Sequence, residues 1–339
     1  MSTAPDAPPP PAMLLQLLTG GWVAQTLCVL AELGVADELA GGPLGAAELA
    51  QRVGAHAGAL HRLLRAAASV GVFRSEPDGR FALTPMAEHL RRSHPGSLHA
   101  TAVMFGREHS RAWCDLIGSA RTGEIAFDRV YGKSWWAHLQ EHPDSAAVFN
   151  RAMTDLSRQH HRALLAAYDF RPFRRIIDVG GGHGTLLSLV LGAAPAATGA
   201  VYDLPQVVAG AQATFEAAGL GARAEAIGGD FFSAVPPGAD AYILSHIIHD
   251  WEEPKALAIL RTIRAAIAPG GRLLLVETVI PEGDEPHLGK WLDLNMLAMV
   301  GGRERTAREY GELYRAAGFE LVRVVPTAAP ISLIEGRPA

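Results

Sequence analysis

A glycine-rich turn between a short apolar run and a helical stretch constrains the fold of this chain more than any other feature. The turn has the sequence Asp178-Val-Gly-Gly-Gly-His-Gly184. Glycines there let the backbone approach a ligand closely, because no Cβ stands in the way. A dinucleotide fingerprint would need glycine at position 185, which is Thr185, whereas the third glycine falls at 184. The turn therefore predicts a nucleoside-containing ligand and disfavours a nicotinamide dehydrogenase.

From about residue 174, short apolar runs alternate with amphipathic helical stretches. The runs lie at 176–179, 199–203, 224–227, 241–244 and 273–277. Buried strands separated by helices predict an α/β fold with a doubly wound, Rossmann-like parallel sheet. Two later runs, at 320–325 and 331–335, are separated only by the turn at 326–330 and predict an antiparallel hairpin at one edge of the sheet.

Residues 13 to about 170 have the three- and four-residue apolar spacing of helices. Two short helices, at 45–54 and 57–70, precede two extended pieces joined by a turn, which together predict a winged helix. A DNA-binding protein is therefore a rival interpretation. The second helix carries only His61, Arg62 and Arg65 among alanines and leucines, so packing is favoured over contact with a DNA groove.

Composition limits the possible binding partners and the cellular compartment of the protein. A formal charge of -5 gives no broad basic surface, so nucleic acid is not expected as a partner. The two cysteines, Cys28 and Cys114, cannot form a disulfide framework, and a cytoplasmic location fits them. The proline-rich start has no basic region typical of a signal peptide. Glycine, proline or charge interrupts the apolar runs, so no membrane contact is predicted.

Acidic and aromatic residues follow the successive strands of the predicted sheet. Asp203 ends the second strand, where a carboxylate can accept hydrogen bonds from both hydroxyls of a ribose. Asp230 and Phe231 follow the third strand and suit the amino group and the ring face of an adenine. The order of these residues after successive strands predicts a nucleoside-containing cofactor. The turn itself resembles D-x-G-x-G-x-G, the pattern of S-adenosylmethionine (SAM) methyltransferases, which implies SAM as that cofactor.

The fourth strand is followed by Ser245-His246-Ile-Ile-His249-Asp250-Trp251. Two imidazoles and an aspartate could bind zinc or iron, but the neighbouring sequence supplies no further cluster of ligands. Methyl transfer from a sulfonium needs no Lewis acid, so we predict no metal and interpret His249 as a general base. Most other histidines are expected to be structural, including His160 and His161, which we predict to lie on a solvated helix.

Seven motifs together resemble those of the SAM-dependent O-methyltransferases of the plant phenylpropanoid and bacterial aromatic-polyketide tailoring type. They are Ala167-Tyr-Asp-Phe170, Asp178-Val-Gly-Gly-Gly-His-Gly184, Tyr202-Asp-Leu-Pro205, Gly229-Asp-Phe-Phe232, His246-Ile-Ile-His-Asp-Trp251, Pro269-Gly-Gly-Arg272 and Gly301-Gly-Arg-Glu-Arg-Thr306. The resemblance covers nearly the whole chain. It implies SAM as cofactor, with S-adenosylhomocysteine as its product, and a homodimer whose helical N-terminal half closes over the partner's pocket for an aromatic acceptor.

The resemblance also implies roles for individual residues. His249 would take the proton of the acceptor's hydroxyl, Glu304 would orient the imidazole, and Glu277 would be a second acidic neighbour. The implied cofactor-binding residues are Asp178, Gly180, Gly182, Asp203, Leu204, Asp230, Phe231, Ser245 and Trp251. The implied acceptor-binding residues are Met153, Met296, Asp250, Trp113 and Phe105. The two methionines are also compatible with ordinary core packing. Ser245 stands where plant members have lysine, so the bacterial branch is the better comparison.

The predicted function is methyl transfer from SAM to a hydroxyl of an aromatic secondary metabolite. A phenol with a pKa of about 10 and an imidazole of about 6.5 leave proton transfer uphill by roughly 4.8 kcal/mol, so the base acts together with the cofactor. Two alternatives stay open: a relative that binds SAM but performs hydroxylation or decarboxylation, and a winged-helix regulator that senses SAM. His249 and Glu304 disfavour the first, and the negative charge disfavours the second.

Four segments follow from these patterns and from the resemblance. Residues 1–12 are predicted to be a disordered lead, and residues 13–100 a winged-helix-like dimerisation domain. Residues 101–170 would form a helical linker and a lid over the acceptor pocket. Residues 171–339 would form the methyltransferase domain that binds SAM.

Overall fold

The computed structural model describes residues 8–339, which fall into two compact units. The first unit contains the described residues up to Cys114 together with Trp136–Ser157, and the second contains Asp115–Trp135 and Arg158–Ala339. Residues of the segment 101–170 occur in both units, and the predicted boundaries at 100 and 170 stay predictions. Residues 1–7 of the predicted lead lie outside the described residues. Residues 10–12 are helical, in contrast to the prediction, because proline is well suited to the first turn of a helix.

Short helices and one hairpin build the first unit. Its helices up to Cys114 are α1 (Pro10–Leu18), α2 (Gly20–Glu32), α3 (Val35–Glu38), α4 (Ala46–Val53), α5 (Ala57–Ser69), α6 (Pro85–Glu88), α7 (His99–Met104) and α8 (Ser110–Trp113), with a 3-10 turn at Leu39–Gly41 and a π turn at Phe105–His109. Strand β1 (Phe73–Ser75) pairs antiparallel with β2 (Phe81–Leu83), as expected for the predicted hairpin. Leu49, Leu60, Leu64 and Phe81 belong to a buried core that joins the two predicted short helices to this hairpin.

Helices α1 and α2 form the one stretch of the described residues that is long and apolar enough to cross a membrane, judged by length and composition alone. It covers Pro10–Glu32, and little of it is buried. In contrast to the prediction, Gly20 and Gly21 are helical and do not end the stretch, and Glu32 is the only charged residue within it. Several large side chains are exposed along it, including Leu14, Leu17, Leu18 and Trp22.

Four helices follow α8 along the chain and precede the first strand of the second unit. They are α9 (Leu116–Thr122), α10 (Ala126–Tyr131), α11 (Trp135–Glu141) and α12 (Pro143–Ala167). The first two belong to the second unit, which also includes the end of α12 from Arg158.

A seven-stranded sheet organises the second unit. Its elements in chain order are β3 (Arg175–Val179), α13 (Thr185–Ala193), β4 (Thr198–Asp203), α14 (Pro205–Val208), α15 (Ala211–Ala217), β5 (Ala224–Gly228), β6 (Ala241–Ser245), a 3-10 turn (Ile248–Asp250), α16 (Glu253–Ala266), β7 (Arg272–Glu277), β8 (Val279–Ile280), α17 (Leu288–Met299), β9 (Arg305–Thr306), α18 (Ala307–Ala316), β10 (Phe319–Pro326) and β11 (Ser332–Pro338). The strand order is β10-β11-β7-β6-β3-β4-β5, with β8 and β9 forming a separate parallel pair.

The sheet confirms the predicted α/β class. Strands β3 to β7 of the sheet are parallel, whereas β10 and β11 add the predicted antiparallel hairpin at the edge beside β7. Alternate residues point to opposite faces, so Ile176 and Ile243 enter one buried core while Ile177 and Tyr242 enter the other. Helices therefore cover both faces of the sheet.

The strand order reverses between β3 and β6, because the chain goes from β3 to β4 on one side and later returns to β6 on the other. Open α/β sheets bind ligands in the crevice beyond the carboxyl ends of the strands at such a point. The glycine-rich turn after β3 and the histidine segment after β6 are the two loops that flank it.

Candidate functional site

The glycine-rich turn needs its glycines for conformation and leaves room for a ligand. Gly182 has a φ of 59°, in the region that favours glycine, and a Cβ built on it would meet no atom within 4 Å. Its N–H donates to Asp203 Oδ2 at 3.0 Å. At Gly180 (φ 72°) a Cβ would instead lie 2.5 Å from Ile247 Cδ1, so the turn packs tightly against the histidine segment. The open space therefore begins at Gly182.

Asp178 is a fully buried carboxylate without a counter-ion. No ion pair reaches it from the described residues, and the only hydrogen-bonding group that lowers its pKa is the backbone N–H of Leu187. Burial, together with the nearby charge of Asp203, raises the pKa of Asp178 to about 7. A buried, unpaired carboxylate is costly unless a positive group approaches it.

Asp203, at the end of β4, and Asp230, which follows β5, make local hydrogen bonds. Asp203 Oδ1 accepts from the N–H of Leu204 at 2.7 Å, and the Leu204 side chain is exposed. Asp230 is exposed, and its oxygens accept from the N–H of Phe232 at 2.9 Å and from the hydroxyl of Ser233 at 3.2 Å. Asp203 keeps lone pairs available for further donors, because each carboxylate oxygen can accept more than one hydrogen bond.

Aromatic side chains stand beside Asp230. The ring of Phe232 packs edge-on against Trp251 with 4.9 Å between the centroids, and Phe231 lies 6.3 Å from the same tryptophan. On the neighbouring strand end, the hydroxyl of Ser245 is buried and has no hydrogen-bond partner. The set therefore combines carboxylates, an unpaired hydroxyl, aromatic faces and open space at Gly182, and it fits a flat nucleoside that carries positive charge, as SAM does.

His249 lies at the centre of a carboxylate cluster. Its Nδ1 is 2.9 Å from Glu304 Oε1 and 3.6 Å from Glu277 Oε2, and its Nε2 is 3.4 Å from Asp250 Oδ1. The side chains of Glu277 and Glu304 are almost completely buried, whereas His249 and Asp250 keep 14% and 21% exposure. The bond to Glu304 fixes the tautomer with a proton on Nδ1, so Nε2 is the nitrogen free to accept one.

Two opposing effects set the protonation of this cluster. Burial lowers the pKa of His249, but the charges of Glu277, Asp250 and Glu304 outweigh burial and raise the pKa to about 10. Burial raises the pKa of Glu277 to about 7 and that of Asp250 to about 6, against the opposite pull of His249. Three carboxylates around one imidazole thus hold a proton firmly on His249 at neutral pH.

Backbone contacts hold the histidine segment in place. Glu277 Oε1 accepts from the N–H groups of Ile247 at 3.1 Å and Ile248 at 2.8 Å. The carbonyl of His249 accepts from the N–H of Arg303 at 2.8 Å, and any Cβ at Gly302 would overlap that carbonyl. Glu277 therefore has two functions, since it anchors the loop and adds charge beside the base.

The support of Glu304 comes from residues that the sequence did not reveal. Its N–H donates to Asp293 Oδ1 at 3.0 Å, and the next residue, Arg305, is completely buried. Arg305 Nη1 donates to the carbonyl of Ile248 at 3.4 Å and so helps to hold the histidine segment. The only sequence signal for these residues was their position in or near the Gly301-Gly-Arg-Glu-Arg-Thr306 motif.

The prediction of a solvated helix for His160 and His161 is wrong. His161 is buried, and His160 Nδ1 lies 3.0 Å from His246 Nε2. Glu277 lies beside His249, as the resemblance implied, although it ends a different strand. Ligand atoms of His246, His249 and Glu277 all lie within 4.8 Å of one another, a spacing that could hold a metal ion. Residues distant in sequence form this group.

The acceptor-binding candidates are divided between the two units. Asp250 borders His249, and Met296 is half-buried on α17 of the same unit. In the first unit, Met153 packs against the small core of Ala100, Met104 and Ala152, which also suits a packing role. Also in that unit, Phe105 is exposed and Trp113 is half-buried at the end of α8. The second unit thus contains His249, its acidic neighbours, Met296 and the cofactor candidates.

Comparison with known proteins agrees with this arrangement. An O-methyltransferase domain matches residues 113–320, and an O-methyltransferase dimerisation domain matches residues 15–93. The phenazine O-methyltransferase PhzM of Lysobacter antibioticus is 46% identical over 98% of this chain and 97% of the relative. The O-demethylpuromycin-O-methyltransferase of Streptomyces alboniger is 39% identical over 96% of this chain and 88% of the relative.

Among solved structures, an O-methyltransferase from neocarzinostatin biosynthesis was crystallised with SAM and 2-hydroxy-5-methyl naphthoic acid. It is 35% identical, with a TM-score of 0.81, and the match covers 93% of this chain and 96% of that chain. The relatives and the bound SAM of this structural neighbour support SAM as the cofactor.

Proposed function

Since this chain belongs to the O-methyltransferase family and is a SAM-dependent methyltransferase, we propose that it methylates a hydroxyl group of an aromatic small molecule with His249 as general base. The acceptor would be a secondary metabolite of the kind that bacterial relatives modify. SAM, when bound, supplies an electrophilic methyl group on a positively charged sulfur. The reaction needs no metal, because the methyl donor is already activated.

The main support for the proposal is the hydrogen bond of 2.9 Å between His249 Nδ1 and Glu304 Oε1. It leaves Nε2 as the nitrogen that can remove a proton, and it orients the ring, as a carboxylate does for a catalytic histidine. Asp250 Oδ1 lies 3.4 Å from that nitrogen and can hold the acceptor's hydroxyl group beside it.

The raised pKa of His249 changes the energetics of the proton transfer. With a pKa of about 10, the imidazole matches a phenol, so that the transfer itself is close to balanced. The same raised pKa means that only a small fraction of His249 is unprotonated at neutral pH. Each binding step that brings positive charge near the cluster increases that fraction. The cluster therefore supplies a strong base whose availability depends on charge.

The carboxylates near the carboxyl ends of β3, β4 and β5, which are Asp178, Asp203 and Asp230, are proposed to hold the cofactor. Asp203 would accept from the ribose hydroxyls, and the aromatic faces of Phe231 and Trp251 would border the adenine beside Asp230. Gly180, Gly182, Leu204 and Ser245 would line the same edge, with Asp178 below the turn. No lysine or arginine of the described residues pairs with Asp178, Asp203 or Asp230, which suits a ligand of positive charge.

We further propose that the chain forms a homodimer through its N-terminal region. The family match to a dimerisation domain at 15–93 includes exposed apolar residues of α1 and α2, such as Leu17, Leu18 and Trp22. Burying them in a partner would remove apolar surface from water. Sedimentation at several protein concentrations tests this directly, and a monomer at all concentrations contradicts it.

The function itself is tested with labelled SAM and a panel of hydroxylated and aminated aromatics, including phenazines, naphthoates and quinones. Transfer of label to hydroxyl groups, with a gain in mass of one methylene, is the expected result. Transfer only to amines would contradict the hydroxyl acceptor. Binding of SAM without transfer to any acceptor would favour a relative with other chemistry.

A further inference from the structure

Arg305 is completely buried, which is unusual for an arginine. It forms no ion pair with a carboxylate of the described residues, and its Nε and Nη2 have no hydrogen-bond partner among them. A buried charge without an ion pair costs free energy of folding, and an apolar side chain of similar volume often stabilises such a place as well or better. The stability of the fold therefore gives no reason for an arginine at this position.

The remaining nitrogen of the guanidinium, Nη1, joins the two segments that form the base. It donates to the carbonyl of Ile248 at 3.4 Å and to the carbonyl of Arg303 at 3.3 Å. Ile248 is the residue before His249, and Arg303 is the residue before Glu304. Because Nη1 carries two hydrogens, it can donate to both carbonyls at once. A single nitrogen thus connects the segment of the base to the segment of the carboxylate that orients it.

The backbone of Arg305 is also fixed. It pairs with Val279 in the parallel pair of β8 and β9, two residues beyond Glu277. Glu277 Oε1 accepts from the N–H groups of Ile247 at 3.1 Å and Ile248 at 2.8 Å. The segment after β6 is therefore held at its N–H groups by the end of β7 and at a carbonyl by a side chain from β9.

The hydrogen bond of 2.9 Å between His249 Nδ1 and Glu304 Oε1 depends on how these segments meet, because the two residues are 55 positions apart in the chain. The N–H of Arg303 donates to the carbonyl of His249 at 2.8 Å and joins the two backbones at one point. The bonds from Arg305 join them at a second point, which prevents rotation about the first. A displacement of about 1 Å would lengthen the bond to Glu304 beyond the usual range.

Resting on the proposed function, we propose that Arg305 is a positioning residue, which keeps the imidazole of His249 bonded to Glu304 while the proton arrives and leaves. It acts through the two carbonyls and moves no proton itself, since a guanidinium stays charged in proteins. Arg305→Met removes the donors and breaks no ion pair, so the melting temperature should change by only a few degrees. The value of kcat should fall by about 10–100-fold, because the base is no longer held in place.

Arg223→Met is the matched control. Arg223 is a partly buried arginine of the same unit that also donates to backbone carbonyls, those of Leu191, Ala194 and Ala197. These carbonyls lie at the end of α13 and in the loop that leads into the amino end of β4, away from the strand ends that carry the site. This variant should lower the melting temperature and leave kcat unchanged. Arg305→Lys keeps a charge and a donor, so its kcat should be intermediate, and it replaces Arg305→Met in each experiment if that variant does not fold.

A double-mutant cycle with His249 separates positioning from general damage to the fold. Labelled SAM and the best acceptor of the panel described above are used to measure kcat. In the His249→Ala background, Arg305→Met should lower kcat by less than about threefold, because no imidazole remains to be positioned. SAM affinity, measured by calorimetry, should stay unchanged in both backgrounds. Equal losses of kcat in the two backgrounds would show a structural role and overturn the assignment of Arg305.

A proton resonance tests the same contact without an acceptor. The Nδ1 proton of His249, which is bonded to a buried carboxylate, should resonate far downfield, and its absence from His249→Ala assigns it. Arg305→Met should remove or shift this resonance, whereas Arg223→Met should leave it in place. Methylation of a panel acceptor, with resonance and kcat both unaffected by Arg305→Met, contradicts only the role of Arg305. A resonance that depends on Arg305 in a protein that binds SAM but methylates no panel acceptor contradicts the proposed function and leaves the hydrogen-bond network standing.

Discussion

The two loops that flank the switch point of the sheet both concentrate buried carboxylates, but they differ in where the compensating positive charge comes from. Around His249, the protein supplies it through the imidazole itself. At the glycine-rich turn, Asp178 is buried without an ion pair from the described residues, and Asp203 beside it accepts hydrogen bonds from backbone N–H groups. We therefore propose that the first loop balances its own charge, whereas the second is completed by a positively charged ligand.

This difference between the loops suits two separate roles at the carboxyl ends of the strands, proton removal in one loop and cofactor binding in the other. A base must keep its own charge balance as its proton leaves and returns, so its neighbours are fixed by several hydrogen bonds. A cofactor site gains affinity and selectivity when the ligand supplies the missing charge, because a neutral analogue leaves the carboxylates unpaired. Changes in the first loop are therefore expected to affect turnover, and changes in the second to affect binding.

The largest expected effect is that of His249→Ala. Removing the base should lower kcat by roughly 10²–10⁴-fold, the usual contribution of a general base. SAM affinity, measured by calorimetry, should stay close to that of the unaltered protein, since the ring lies in the other loop. His61→Ala, a change of an exposed histidine on α5, is the matched control. Unchanged turnover in His249→Ala would remove this histidine from the mechanism.

Asp203→Ala should mainly weaken the binding of SAM, whereas His249→Ala should mainly lower kcat. SAM binding should weaken by about 10–100-fold, as for the loss of hydrogen bonds to a charged group, and the effect should appear mainly in the dissociation constant. Asp169→Ala provides the control, because Asp169 is an exposed carboxylate that pairs only with the nearby Arg171. Normal SAM affinity with reduced kcat would reverse the assignment of the two loops.

The residues of both loops could largely be located from the sequence, because strand ends and the loops that follow them have a regular pattern. The glycine-rich turn, Asp203, Asp230 and the His249 segment each follow a recognisable strand, and the fold places their strands side by side. The sequence could not show that His160 reaches His246 from α12, since a polar residue on a long helix looks solvated whichever neighbour it meets. It also could not show that Asp178 is buried without an ion pair from the described residues, because burial of that carboxylate depends on how the sheet is covered.

The third prediction concerns the pH dependence of the base. Activity needs unprotonated His249, so the rate should rise with pH, and the raised pKa places that rise above the 6.5 of a free imidazole. Glu304→Gln keeps an acceptor for Nδ1 but removes one of the charges that stabilise the imidazolium. The rise in kcat/KM should therefore shift to lower pH by about one unit, with a lower plateau. A profile that does not move would show that Glu304 orients the ring without affecting its charge.

The smallest effect is expected at Asp178, and it tests whether the turn lacks a cation of its own. The folded-state pKa of Asp178 is raised to about 7, so the fold favours its neutral form and loses stability as the pH rises from about 4 to about 7. Without SAM, Asp178→Asn should therefore raise Tm by a few degrees at pH 8, the equivalent of about 1 kcal/mol, and by less at pH 5. Saturating SAM should stabilise the unaltered protein more than the variant, because only the carboxylate attracts the cation. Equal Tm shifts at both pH values, with equal stabilisation by SAM, would mean that Asp178 already has a partner and that the two loops do not differ in this way.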